Sequence, residues 1–192
     1  MLALLTIDVQ EDFARLISGT RECVPAMQRV LAAFRQRGLP IVHVVRLYLS
    51  DGSNADLCRR ESIRNGAGLV TPGSDGAELV AGLAPDPSLR LDAGLLLNGG
   101  LQELGKNEWA MYKPRWDAFY STPLEEHLRK LGVTTVAVAG CNFPNCPRAT
   151  IYGASMRDFQ VAIFPGAISG IYEKGLEELA NIGVSTMSCE DV

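Results

Sequence analysis

Hydrophobic positions along the chain fall into two kinds of run. LALLTI at the start, IVHVVRL from Ile41, WAMYK from Trp109, TTVAVAG from Thr134, QVAIF from Gln160 and GVSTMS from Gly183 are short, continuous and rich in β-formers. They lack the strict alternation of a half-exposed sheet, and continuous apolar runs are how strands buried on both faces of a parallel sheet read. Between them lie runs of helical spacing. Val24, Met27, Val30, Leu31 and Phe34 stop at Gly38, Leu124, His127, Leu128 and Leu131 stop at Gly132, and Leu176, Leu179 and Ala180 stop near Gly183. Strands alternating with helices over short connections predict a doubly wound, mostly parallel six-stranded α/β sheet flanked by helices, a Rossmann-type three-layer architecture.

The middle of the chain is less regular. From Leu47 to about Gly105, Gly, Pro, Asp and Ser are frequent, and DGAELVAGL from Asp75 is the one short stretch of helical pattern. A long excursion of this kind usually covers a site or mediates assembly, so residues 47–105 read as a lid or a subunit contact.

Composition changes the picture mainly by exclusion. A chain of 192 residues, 47% hydrophobic and 21% charged, suits one domain over residues 1–192 with a sizeable core. A formal net charge of −4 and no clustered Lys or Arg argue against nucleic acid or an anionic membrane as partner and leave a small molecule. No run approaches the about 18 apolar residues of a membrane span. The opening MLALLTIDVQEDF lacks the basic flank and cleavage site of a signal peptide, so a cytoplasmic location is expected. Five scattered cysteines, an odd number, suit a reducing compartment better than a disulfide framework.

In an open α/β sheet ligands bind beyond the carboxyl ends of the strands. Asp8 closes the first predicted strand, Lys113 closes WAMYK, and Cys146 follows the strand that ends at Gly140. Asn145 suits a helix N-cap and Pro147 a first turn, so a helix is expected to start at Cys146 or Pro147. A sulfur there faces free backbone N–H groups and the positive helix end, which favours thiolate. The Lys113 ammonium would favour it further, while Asp8 could accept the thiol proton and return it to a leaving group. Each residue also has a plain structural reading: an Asp capping a turn, a solvated Lys, a Cys filling a core. Their convergence on one sheet edge is what favours chemistry.

IDVQEDF, KPRWDAF and GCNFPNC followed by PRATIYGASMRDF resemble the three signature segments of the isochorismatase-like cysteine hydrolases, a superfamily that includes nicotinamidases, carbamoylsarcosine amidases and ureidoacrylate or biuret hydrolases. The resemblance spans almost the whole chain in the right order. It implies an isochorismatase-like fold, a catalytic triad of Asp8, Lys113 and Cys146, and hydrolysis through a thioester on Cys146, with no cofactor. It implies a non-proline cis peptide between Cys141 and Asn142, with the N–H groups of Asn142 and Cys146 as the oxyanion hole; Phe143–Pro144 is a second candidate for cis. It also implies a homo-oligomer, a dimer or larger.

Departures narrow this reading. Nicotinamidases of the superfamily carry an Asp-x-His metal motif, and here Asp51-Gly52-Ser53 lacks the histidine. His43, inside a strand, and His127, on a helix, read as packing or surface residues, so no metal is expected. Cys141 and Cys146 make a poor zinc set without further ligands, and a disulfide between them would disable the nucleophile. The retained Cys146 favours C–N hydrolysis of a small amide, ureide or carbamoyl compound; vinyl ether hydrolysis, or a non-catalytic or redox-sensing member of the fold, stays open. Phe13, Trp116, Phe119 and Tyr152 could wall the substrate pocket or pack in the core, and Arg46 could bind substrate or form a surface salt bridge. Arg59, Arg60 and Arg64 suit a solvated face or a subunit contact, and Gln10 a brace for the Asp8 loop.

Overall fold

In the computed structural model, which describes residues 1–192, the continuous apolar runs form the middle of a single sheet. In chain order the elements are β1 (Leu2–Ile7), α1 (Glu11–Leu16), α2 (Thr20–Arg37), β2 (Ile41–Val45), α3 (Leu57–Arg64), α4 (Ala93–Leu97), β3 (Leu101–Gly105), β4 (Glu108–Tyr112), α5 (Leu124–Lys130), β5 (Thr135–Gly140), α6 (Cys146–Ser155), β6 (Gln160–Ile168), α7 (Glu173–Ala180) and β7 (Ser185–Thr186). The sheet has seven strands in the order β3-β4-β2-β1-β5-β6-β7, parallel except for β3. No helix is long and apolar enough to cross a membrane.

The α/β three-layer class is as expected, with seven strands in place of six. The extra one, β3, folds back on β4 across Lys106-Asn107, with Asn107 in the left-handed region at φ 57°. Its sequence LQELG is half polar because it is an antiparallel edge with one face towards water, so it does not read as a buried strand. The expected helix at Asp75 is only a 3₁₀ turn, Asp75–Ala77. Beyond it the chain runs extended beside the β1–α1 junction: the Val80 N–H donates to the Val9 carbonyl and the Glu11 N–H to the Glu78 carbonyl. Residues 47–105 are packed against the sheet. Leu47, Tyr48, Ala55, Ile63, Val70 and Leu96 form a core of their own with Phe13 and Ala110.

Side-chain alternation on β1 sets the layers. Ala3, Leu5 and Ile7 face a core shared with α5, α6 and α7, including Leu128, Ile151 and Leu179. Leu4 faces Met27, Leu31 and Phe34 of α2. On that second face lies a buried polar chain. Thr6 Oγ1 is 2.8 Å from His43 Nδ1, and His43 Nε2 is 2.7 Å from Glu108 Oε1. Arg35 donates to both Glu108 oxygens. His43 is therefore a fully buried relay in the core, neither simple filler nor a surface group. Burial would raise the Glu108 carboxyl, but hydrogen bonds and charge from Arg35 and His43 overcome it and hold the group down to about 2.

Because Glu108 is lowered on folding, its ion pairing is expected to stabilise the protein above the ordinary carboxylate value and to weaken as pH falls towards about 2. Glu108→Gln should cost about 2–4 kcal/mol at neutral pH and flatten that acid dependence, checked by chemical denaturation across pH. Gly140 ends β5 at φ 131°, and a Cβ there would lie 2.3 Å from the Ile7 carbonyl oxygen. Gly140→Ala should cost more than about 3 kcal/mol in the same assay.

Candidate active site

From the adjacent parallel strands β1 and β5 the chain runs on to opposite sides of the sheet, β1 towards β2 and β5 towards β6, which is where an open α/β sheet forms its crevice. Asp8 is the first residue past β1. Its φ of 55° is left-handed, a conformation Asp tolerates better than most residues, and its N–H donates to the Val44 carbonyl. Lys113 is the first residue past β4, anchored by its N–H to the Val45 carbonyl. Its Nζ lies 2.8 Å from Asp8 Oδ2 and donates to the Arg115 carbonyl at 3.2 Å. Both side chains are buried, so the charges are tolerable only as a pair.

Cys146 opens α6, as expected, and Pro147 occupies the first turn. Asn145 is the N-cap residue by position but makes no capping bond. Its Nδ2 donates instead to Asn142 Oδ1 at 3.1 Å. The peptide between Cys141 and Asn142 is cis, and Phe143–Pro144 is not. The N–H groups of Asn142 and Cys146 donate to no other group of the protein, whereas neighbouring Phe143 and Asn145 donate to Ser169 and Asn142 carbonyls. Cys141 is buried and donates its S–H to the Asp8 carbonyl at 3.1 Å, so it belongs to the wall behind the site.

The Cys146 thiol lies close enough to the Asp8 carboxylate to feel its charge. Asp8 Oδ1 is buried and has no hydrogen bond of good geometry. The expected shift towards thiolate does not hold. Burial disfavours the anion first and the Asp8 charge second; Lys113 and Arg46 pull the other way without matching them, and the thiol is pushed up to about 11. With Lys113 only 2.8 Å from Asp8, the fields of the two charges largely offset one another at the sulfur, and burial decides the direction.

A cavity of about 230 Å³ opens over these groups, with Asp8, Asn142, Asn145 and Cys146 in its floor. Phe13, Arg46 and Trp116 line it. Phe119 and Tyr152 do not. Phe119 stacks on Phe159 in the core at 5.7 Å, and Tyr152 sits beside the Arg148 guanidinium. Both follow signature residues in sequence, but helix and loop geometry turns them from the cavity. Arg46 is no surface residue: it is 1% exposed, held by Asp56 at 3.0 Å and by the Pro114 carbonyl at 2.9 Å. Gln10 braces this wall, donating to the carbonyls of Arg46 and Ala77 and accepting from the Arg46 N–H.

Sequence reasoning did not place Tyr48, Asp56 or Cys58 at the site and read Arg59 as part of a solvated face or a subunit contact, yet all four line the cavity. Asp56 before LCRRESIR reads as a helix cap, yet its carboxylate makes no cap bond and takes Arg46 and the Tyr48 hydroxyl instead. No group of three or more His, Cys, Asp or Glu side chains is placed to hold a metal ion. A larger groove, about 470 Å³ and away from Cys146, is lined by Glu11, Arg21, Glu78 and Arg90, which pair with one another.

Fold and site together define a three-layer α/β protein that brings an aspartate, a lysine and a cysteine together at one sheet edge. The chain belongs to the isochorismatase family, whose isochorismatase domain matches residues 2–91 and 97–191. It is 32% identical to a probable inactive nicotinamidase of Arabidopsis thaliana, over 96% of this chain and 90% of that one. It is 25% identical to the ureidoacrylate amidohydrolase RutB of Methylobacterium radiotolerans, over 95% of this chain and 72% of that one. The solved structure of an isochorismatase family protein from Desulfovibrio vulgaris aligns with a TM-score of 0.81 at 30% identity, over 98% of this chain and 94% of that one. The family is of hydrolase type and includes amidohydrolases.

The rate of Cys146 alkylation should climb with pH towards about 11, with no plateau near neutrality. Asp8→Asn, which removes a negative neighbour, should move the inflection down, and Lys113→Met should move it up. Brief iodoacetamide pulses read by peptide mass spectrometry check this, and an inflection below the about 8.5 of a free thiol would contradict it.

Proposed function

We propose that this protein is a cysteine hydrolase that cleaves the C–N bond of a small amide, ureide or carbamoyl compound. The observation that carries the reading is the buried Asp8–Lys113 pair, 2.8 Å across, beside Cys146 at the start of α6, with Asp8 and Cys146 lining one cavity. In a binding module these buried charges would have no task to offset their desolvation. The amidohydrolase name of one relative supports the reaction class. Another relative bears the name of a probable inactive nicotinamidase, and a nicotinamide substrate is not part of this proposal.

The resting nucleophile is a thiol, so deprotonation belongs to the attack itself. Asp8 takes the Cys146 proton as the sulfur adds to the substrate carbonyl carbon. The oxygen that becomes negative meets the free N–H groups of Asn142 and Cys146 at the positive end of α6. The C–N bond then breaks, and the proton held by Asp8 passes to the leaving nitrogen. A thioester remains on Cys146. Water attacks it, Asp8 accepting one proton, and the acid leaves as the sulfur recovers its proton. Lys113 keeps the Asp8 carboxylate in place through these transfers. The cavity volume of about 230 Å³ suits a small substrate.

Ammonia release from a panel of small primary amides and ureides tests this. Cys146→Ala should lower kcat/KM by at least about a thousandfold while melting near wild type, and Asp8→Asn should lower it as much with a loss of stability, since it leaves Lys113 buried without its partner. Full turnover by Cys146→Ala would overturn it. Survival of vinyl ether hydrolysis in Cys146→Ala with collapse in Asp8→Asn would place the protein with the ether hydrolases.

A further inference from the structure

We propose that Arg59 is the specificity residue of this site and that it binds a carboxylate on the substrate, so that the preferred substrates are small amides or ureides of carboxylic acids. This rests on the cysteine hydrolase reading and narrows it. Charges at the cavity divide into two closed pairs and one remainder. Lys113 is matched by Asp8 at 2.8 Å and Arg46 by Asp56 at 3.0 Å. Arg59 lines the cavity beside Arg46, and its guanidinium makes neither an ion pair nor a hydrogen bond within the protein. The site as built therefore carries one positive charge more than it neutralises.

Neighbouring arginines show that this is particular to position 59. Arg60 and Arg64 share α3, yet Arg60 donates to the Ala55 carbonyl and Arg64 to the Asp51 carbonyl, both on the excursion itself. Asp56, three residues before Arg59, cannot serve it because Arg46 and Tyr48 hold both of its oxygens. Arg59 is nonetheless held in place, its guanidinium carbon 5.5 Å from the Phe13 ring centroid. An aromatic contact fixes the plane of a guanidinium and leaves its N–H edge free, the arrangement that receives a carboxylate through two parallel hydrogen bonds. Half-burial at the cavity wall strengthens such a bond relative to one in open water. With about 230 Å³ to fill, the acid must be small and its carboxylate within a few bonds of the scissile carbonyl.

Succinamate and its methyl ester make a matched pair that differs by one charge; with water, succinamate gives succinate and ammonia. Ammonia release should favour succinamate over the ester in kcat/KM by at least about 30-fold in the wild type. Arg59→Gln should reduce that ratio by about 10- to 100-fold, with partial recovery in Arg59→Lys, which keeps the charge but loses the fork. An unchanged ratio would overturn the proposal. Calorimetric titration with succinate is independent of turnover. If Arg59→Gln weakens succinate binding by about 10- to 100-fold while no amide is hydrolysed, the anion site stands and the hydrolase reading fails. No succinate binding by the wild type, or equal binding by both proteins, refutes the anion site whatever the catalysis.

Discussion

The buried ion pair between Lys113 and Asp8 is the constraint on which the rest of the site depends. Neither charge could remain in the protein interior alone, and together they require the ends of β4 and β1 to stand at one depth. The parallel register through β2 supplies that alignment. Asp8 receives its N–H acceptor from Val44 and Lys113 from Val45, consecutive residues on the strand between them. On the other side of β1, Gly140 lets β5 approach the Ile7 backbone more closely than any side chain would allow. The segment after Gly140 then places Cys141 against the Asp8 backbone carbonyl and Cys146 near the Asp8 carboxylate.

Electrostatically the cavity is graded. At its base the Asp8–Lys113 pair is fully enclosed, and burial first and the Asp8 charge second hold the neighbouring thiol above its ordinary value. Asp56 closes a second pair with Arg46 and also holds Tyr48, so the wall is rigid and locally neutral. Near the opening Arg59 remains uncompensated. A substrate with a carboxylate at one end and an amide at the other meets these features in order: a cation for the acid, then free backbone N–H groups and a nucleophile for the amide. Charge would orient the molecule before the chemistry begins.

Much of this was legible in the sequence because it follows from chain order and strand ends. Asp8, Lys113 and Cys146 each close or follow a continuous apolar run, and in a parallel sheet those ends share an edge. What was not legible depends on partners distant in the chain. Asp56 looks like a helix cap until Arg46 and Tyr48 are seen to take its oxygens. Arg59 looks like one of three solvated arginines until Arg60 and Arg64 are seen to be tied to carbonyls. Phe119 and Tyr152 lie near signature residues, but sequence distance does not state which face of a loop or helix they occupy. The polar edge strand β3 and the extended segment after Asp75 were missed for the same reason: their structure comes from pairing, not from local pattern.

Intact mass spectrometry after brief exposure to small amides and the corresponding aldehydes tests the central claim most directly, with Cys146→Ser as the comparison. The account predicts a mass increase equal to the acyl group, or to the aldehyde itself, located by peptide mapping on Cys146 and missing from the serine variant. Acid product without any adduct on Cys146, or an adduct only on the exposed Cys58, would contradict it.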